Sequence, residues 1–275
     1  MALAVAATLV AACATVPDGE RAWTASAGGP VPARCPPPPD AGPVVGEVDT
    51  RAPFLVVSWN IHKSARAGWE SDLARFLAAG EFVLLQESLL GSAMRERLER
   101  AGARWVQAEA WSARAGPTGA LIASRVAPAR HCVLRQAEPP GIPPKSAVVA
   151  WYRLAGRADT LAVASVHSVN FSPGLAAYRR QLESLAATLA DHRGPVVVGG
   201  DFNTWSPVRA ALVDEILAGV GLAPIVPVVD RRSRFLGLPA DHLYVRGLVA
   251  VDAAVASLDS SDHVPIVAAL AFPPR

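Results

Sequence analysis

The chain has 275 residues, of which 51% are hydrophobic and 18% charged, with a formal net charge of +2. It is long enough to bury a sizeable core, as one large α/β domain or two small ones. So small a net charge does not by itself announce a nucleic-acid binder. The basic residues are almost all arginine, with Lys63 and Lys145 the only lysines.

Ala2 to Ala12 is almost wholly apolar yet too short to span a bilayer, and small residues lead from it into Cys13. Val10-Ala11-Ala12-Cys13 resembles a bacterial lipobox, in which cleavage leaves the cysteine as a lipid-bearing N-terminus. The resemblance implies an exported lipoprotein of the cell envelope, held to the membrane through Cys13. Residues 1–13 are thus expected to be a signal segment. Residues 14–50 read as a tether, with a proline run from Pro36 to Pro39 and little to pack. The folded domain is expected over 51–275, with its first strand just after Pro53. Export would place Cys35 and Cys132 in an oxidising compartment, where they either bridge or stay free.

Phe54–Trp59 reads as a buried strand with Asn60 at its end. A helix is predicted from about Glu70 to Ala79, with Leu73, Phe76 and Leu77 on one face and Gly80 as its stop. The strand Phe82–Gln86 then delivers Glu87, and a helix carrying Met94 and Leu98 ends near Gly102. This βαβ opening argues for neighbouring strands in one sheet. Further strands are predicted around Trp105, over Gly119–Ser124, around Cys132 and over Ala147–Leu154. Leu161–Val166 is the next, and it delivers His167, with Asn170 close by.

Ser172-Pro173 reads as a helix cap followed by a stripe of Leu175, Tyr178, Leu182, Leu185 and Leu189. Val196–Val198 is a short buried strand, and Gly199-Gly200 is read as a sharp turn presenting Asp201 and Asn203. Ser206-Pro207 caps another helix. Arg231, Arg232 and Arg234 precede Asp241, and Ser261-Asp262-His263-Val264-Pro265 precedes a last strand over Ile266–Leu270. Three guanidinium groups within four residues read either as a solvated charged loop or as a forked grip on a second, non-scissile phosphate.

Each of these strands puts a polar residue where an apolar run ends, a common way for α/β proteins to build a site. Trp59-Asn60, Gln86-Glu87, Val166-His167, Gly200-Asp201-Phe202-Asn203, Ala240-Asp241 and Ser261-Asp262-His263, in this order, resemble the endonuclease/exonuclease/phosphatase superfamily of metal-dependent phosphoesterases. The resemblance covers about residues 54–270. It implies a four-layer α/β sandwich, two packed and mostly antiparallel β-sheets flanked by helices. It further implies that Asn60, Glu87 and Asp262 hold Mg2+, with Mn2+ as a substitute. His263, oriented by Asp241, and Asp201, Asn203 and His167 would act on the phosphoryl group, the attacking water and the leaving oxygen. The partner implied is a phosphoester, whether nucleic acid, lipid headgroup or small molecule, acted on by a monomer. An inactive binding module is the competing reading, and the complete polar set argues against it.

Overall fold

The computed structural model describes residues 14–37 and 46–274, so the leader with Cys13 lies outside the described residues. In chain order the first strands are β1 (Arg21–Thr24), β2 (Val31–Pro32), β3 (Phe54–Asn60), β4 (Phe82–Leu89), β5 (Arg104–Ala108) and β6 (Trp111–Ala113). Then come β7 (Gly116–Ser124), β8 (Arg130–Gln136), β9 (Lys145–Arg153), β10 (Thr160–His167), β11 (Val196–Asp201) and β12 (Ala223–Ile225). The last are β13 (Arg234–Phe235), β14 (Leu238–Pro239), β15 (Asp241–Arg246), β16 (Val249–Val255) and β17 (Ile266–Ala271). The helices are α1 (Trp69–Ala79), α2 (Ser92–Arg100), α3 (Ala176–Ala190) and α4 (Pro207–Ala218).

The strands form a nine-stranded sheet, ordered β16-β17-β3-β4-β7-β5-β1-β2 with β6 on β7, a six-stranded sheet, ordered β12-β15-β11-β10-β9-β8, and a separate hairpin of β13 and β14. Among the strand pairs of the described residues, β3–β4 and β10–β11 are the parallel ones, and isolated parallel bridges join Arg34 to Val133 and Val48 to Leu154. Successive side chains on a strand point to opposite faces, so a run apolar at every position needs a cover on both. On β3, Val56 packs between the sheets with Phe82, Leu84, Val163 and Val197. Its neighbour Val57 faces the other way, against Leu73, Phe76 and Leu77 of α1 and Met94 and Leu98 of α2. The outer face of the second sheet is covered by Tyr178, Leu182, Leu185 and Leu189 of α3 and Leu212 and Val213 of α4. Two sheets and two outer helical layers make the α/β sandwich that the resemblance implies.

The helices mostly begin and end where the sequence puts them. The amide of Gly80 closes α1 on the Phe76 carbonyl, and Ser206 caps α4 by accepting from the Arg209 amide. Helix α3 differs, starting only at Ala176, because Gly174 takes a left-handed φ of 65° and separates Ser172-Pro173 from it.

Gly199 and Gly200 also differ from the reading as a turn: both lie inside β11, and neither has a positive φ. They are small because of what approaches them. A Cβ on Gly199 would meet Leu84 and Leu243 at 2.9 Å, and one on Gly200 would fall 1.9 Å from the Val166 carbonyl oxygen. The turn itself is made further on, at Asn203, with φ of 51°.

The stretch read as a tether carries structure. Within it β1 pairs with β5, burying Ala22, and the indole of Trp23 donates to Glu109 (3.1 Å). Cys35 and Cys132 form a disulfide across 97 residues of chain, fixing this segment to β8. A β-strand needs only a partner edge and one apolar face, and Arg21–Thr24 offers too short a pattern for periodicity to register.

Gly200→Ala should lower stability by at least about 1–3 kcal/mol, the scale of overpacking against backbone that cannot yield. Gly28→Ala, where an added Cβ meets nothing within 4 Å, should leave the urea midpoint within error of the wild type.

Candidate active site

The polar strand ends are brought together by register. In the second sheet His167, Asp201 and Asp241 stand side by side, since His167 pairs with Asp201 and Asp201 with Asp241. In the first sheet Asn60 pairs with Gln86, and a bulge between Leu85 and Ser88 turns Glu87 out of the ladder with φ of 52°. The two rims face one another across a cleft of about 190 Å³ lined by Asn60, Lys63, Glu87, His167, Asp201 and His263, with His62, Asn170, Asn203 and Asp262 completing it. A larger cleft of about 630 Å³, between the N-terminal strands and α3, contains none of the strand-end residues.

Asp201 is 2% exposed, and each of its carboxylate oxygens accepts one hydrogen bond. Oδ1 accepts from the Asn203 amide (2.9 Å), and Oδ2 accepts from Asn60 Nδ2 (3.0 Å), a bond between the two sheets. The same Oδ2 lies 3.5 Å from His167 Nε2 and 3.9 Å from His263 Nε2. His263 presents its other nitrogen, Nδ1, to Asp241 Oδ2 at 2.7 Å. Burial would push the His263 imidazole down, but Asp241 and then Asp201 outweigh it and hold its pKa at about 10. The ring is therefore an imidazolium with Nε2–H facing the cleft.

His167 is the opposite case. Burial pushes it down to about 3, assisted by the Lys145 ammonium and opposed by Asp201 and Glu87. Lys145 Nζ stands 2.9 Å from His167 Nε2 and has only protons to give, so Nε2 accepts and the neutral ring carries its proton on Nδ1. Glu87 pairs with Lys63 Nζ and lies 3.8 Å from Lys145 Nζ and from His167 Nε2. Burial would raise its carboxyl, but Lys145, His167 and Lys63 together hold it well below the usual carboxylate range.

Asp262 is exposed at the mouth, 3.4 Å from His62 Nδ1, and its neighbour Ser261 donates to the Asn60 carbonyl (2.6 Å). Asn203 Nδ2 donates to the Ser168 carbonyl (2.9 Å), and Asn170 Oδ1 accepts from Trp205 Nε1 (3.0 Å). The arginine cluster does not converge on the cleft. Arg232 is buried, ion-paired with Asp230 at 2.8 Å, and donates to the Asp241 carbonyl (3.1 Å). Arg234 is also held by Asp230 at 2.7 Å, and Arg231 is exposed. A guanidinium so closely paired has no free fork for a phosphate; Arg232 instead fixes the strand end that carries Asp241.

Sequence reasoning missed several supports. Arg209, 1% exposed, lies 4.3 Å from the centre of the Tyr178 ring and 4.4 Å from that of Trp205, and donates to the Val169 (2.7 Å), Asn170 (3.0 Å) and Asn203 (3.3 Å) carbonyls. Gln181 of α3 grips the His167 carbonyl (3.0 Å) and the Val169 amide (2.8 Å). Nothing in their sequence context distinguishes them from ordinary helix residues. Lys63 and Lys145 did carry a signal, as the only lysines of an arginine-rich chain.

Oxygen donors suit a hard cation. The ligand atoms of Asp201, Asp241 and His263 lie within 4.8 Å of one another, an arrangement able to hold a cation. Asp241 and His263 are already bonded to each other there, however, so a metal would have to break their hydrogen bond. Asn60, Glu87 and Asp262 line the cleft and are not bonded to one another, although Glu87 is paired with Lys63 and Lys145. Glu87 is anionic, and the Lys63 and Lys145 stems are flexible enough to yield it. They fit the group better.

A model of the endonuclease/exonuclease/phosphatase family matches residues 57–263. The chain belongs to that family, whose members are phosphoester hydrolases and generally use a divalent metal. A UPF0294 protein of Vibrio cholerae is 39% identical over 221 residues, covering 80% of this chain and 78% of its own length. Among solved structures, the human nocturnin catalytic domain superposes with a TM-score of 0.64 at 19% identity, covering 82% of this chain and 97% of that domain. A mannosyl-6-phosphatase of Bacteroides thetaiotaomicron gives 0.55 at 15% identity, covering 80% and 100%.

The histidines also set an acid limit on stability. His242, wedged between Thr204 and Arg232, is pushed down to about 4 by burial and then by the Arg232 charge. Unfolded histidine binds its proton near pH 6.5, whereas folded His242 and His167 refuse theirs until about pH 4 and 3. Between those limits the unfolded chain holds more protons, so stability falls as pH drops from about 6.5 to 4. His263, protonated throughout when folded, opposes this only near pH 6.5 and adds no slope further down, where it is protonated in both states. In chelator, urea midpoints measured across this window should fall less steeply for His242→Gln than for the wild type.

Proposed function

We propose that this protein is a Mg2+-dependent phosphoester hydrolase of phosphodiesterase or nuclease type. The reading is carried by the convergence of Asn60 and Glu87 from one sheet with Asp201, His167 and His263 from the other on a single small cleft. A divalent cation held by Asn60, Glu87 and Asp262 would polarise a phosphoryl oxygen and neutralise charge developing on it.

The chain's own groups divide the remaining work. His263 donates its Nε2 proton to a phosphoryl oxygen as a cation, since Asp241 and Asp201 keep it charged. A group already protonated is a poor base, so the water's proton goes to Asp201, the carboxylate facing it. Asn60 Nδ2 and the Asn203 amide hold that carboxylate in one orientation. Lys145, not the neutral His167, supplies positive charge beside Glu87 for the phosphoryl group, and His167 fixes the ammonium's direction.

The bridge between Cys35 and Cys132 supports export, because such bonds persist in oxidising compartments. With Cys13 lipidated, the enzyme would sit on the envelope membrane as a monomer. A second reading, action on a lipid phosphoester, is favoured by apolar residues at the mouth. Phe171 (62% exposed) follows Asn170, and Leu236 (75% exposed) tips the loop whose Ser233 donates to the Asp262 carbonyl (3.3 Å).

A panel of plasmid DNA, RNA, sphingomyelin, inositol phosphates and a generic phosphodiester tests these readings. Hydrolysis should vanish in chelator and return with magnesium, and Glu87→Gln should blunt that response while the protein stays folded. His263→Ala and Asp201→Asn should each cost at least about a hundredfold in turnover. Full activity in chelator would overturn the metal assignment. The protein should fractionate with membranes in detergent-reversible fashion, and Cys13→Ser should abolish processing at that site; a single uncleaved soluble species in both cases would refute the anchor.

A further inference from the structure

The only two lysines of the chain converge on one carboxylate from different directions. Lys145 begins β9 in the second sheet, with its side chain 15% exposed. Lys63 comes from the turn after β3 in the first sheet, where His62, Lys63 and Ser64 take φ of 48°, 55° and 59° in succession. Three successive residues in the left-handed region, none of them glycine, are costly, and such strain persists where the surroundings impose it. What this turn achieves is to put the Lys63 ammonium on Glu87.

The carboxylate meant for a metal is thus already occupied by two ammonium groups. A divalent cation arriving alone would meet them at close range, and magnesium gives up its water reluctantly for a ligand already engaged. A phosphoryl group changes the balance. Its oxygens can accept from both ammonium groups, while another of them faces the cation. Lysine suits this exchange, being a point charge on a flexible stem with three donors, whereas a guanidinium fork would stay locked to the carboxylate. In a chain whose other basic residues are arginine, the two lysines stand where that mobility is needed.

We propose that Lys63 and Lys145 form a cradle that makes metal binding at Glu87 depend on phosphate. Cation and phosphoryl group bind as a pair, the ammonium groups passing from the Glu87 carboxylate to the phosphoryl oxygens. The inference rests on the metal-dependent reading above and gives that site its recognition element, a phosphoryl group with at least two free oxygens. It also keeps the carboxylate from holding metal between turnovers.

Calorimetry of Mg2+ binding, with and without inorganic phosphate, tests it. The wild type should bind Mg2+ at least about tenfold more tightly when phosphate is present, and Mg2+ should tighten phosphate by the same factor, as linkage requires. Lys63→Met and Lys145→Met, which keep stem length without the charge, should each bind Mg2+ more tightly in the absence of phosphate. Together they should abolish the coupling. Lys63, the more exposed at 38%, carries the test alone if the Lys145 variant fails to fold. Equal Mg2+ affinity with and without phosphate in the wild type would overturn the cradle, as would lysine variants that keep the full coupling. Absence of hydrolysis on every substrate would instead count against the proposed function. An active enzyme without coupling would refute the cradle alone.

Discussion

A carboxylate at 2% exposure must be compensated by hydrogen bonds and charge; that holds for Asp241 and equally for Asp201, which also bridges the two sheets. Its hydrogen bond from Asn60 Nδ2 ties the end of β11 to the end of β3, so the two sheets meet in one defined register at the site. The approach is possible because Gly199 leaves room for Leu84 of the opposite sheet. Removing the carboxylate would leave Asn60 Nδ2 and the Asn203 amide without their acceptor. The catalytic arrangement and the packing of the sandwich are therefore one constraint.

The electrostatics follow from where each imidazole sits relative to carboxylates and cations. His263 lies between Asp241 and Asp201 and is held charged, whereas His167 faces an ammonium and is held neutral. Burial pushes both in the same direction, so the neighbours decide the difference. His242, beside Arg232, is likewise neutral and serves the strand end rather than the reaction. Three histidines within one region thus hold different protons without any difference in residue type.

The supports lie a layer away from the cleft. Arg209 gathers three carbonyls of the loops after β10 and β11, Gln181 fixes the loop after His167, and Arg232 fixes the start of β15. Loops that carry site residues have few apolar contacts of their own, so hydrogen bonds from rigid elements must hold them. The N-terminal segment adds two strands, β1 and β2, to the far edge of the nine-stranded sheet and a covalent tie to β8, well away from the chemistry.

The sequence by itself determined the strands and the residues at their ends. A run such as Leu161–Val166 is apolar at every position, and the polar residue that stops it can be read directly. Asn60, Glu87, His167, Asp201, Asp241 and His263 were all legible in this way, as were α1 and the Ser206 cap. Only tertiary structure decided what those residues do to each other. Which histidine is charged depends on distances between residues far apart in the chain. The glycines before Asp201 read as a turn because close approach of another strand leaves no local mark. Arg232 read as a phosphate grip because its partner Asp230 and its burial are set by folding. The strand at Arg21–Thr24 was invisible because its stability comes from the edge of β5, not from its own pattern. Periodicity reports how a segment meets its own layer, and the site is made where layers meet.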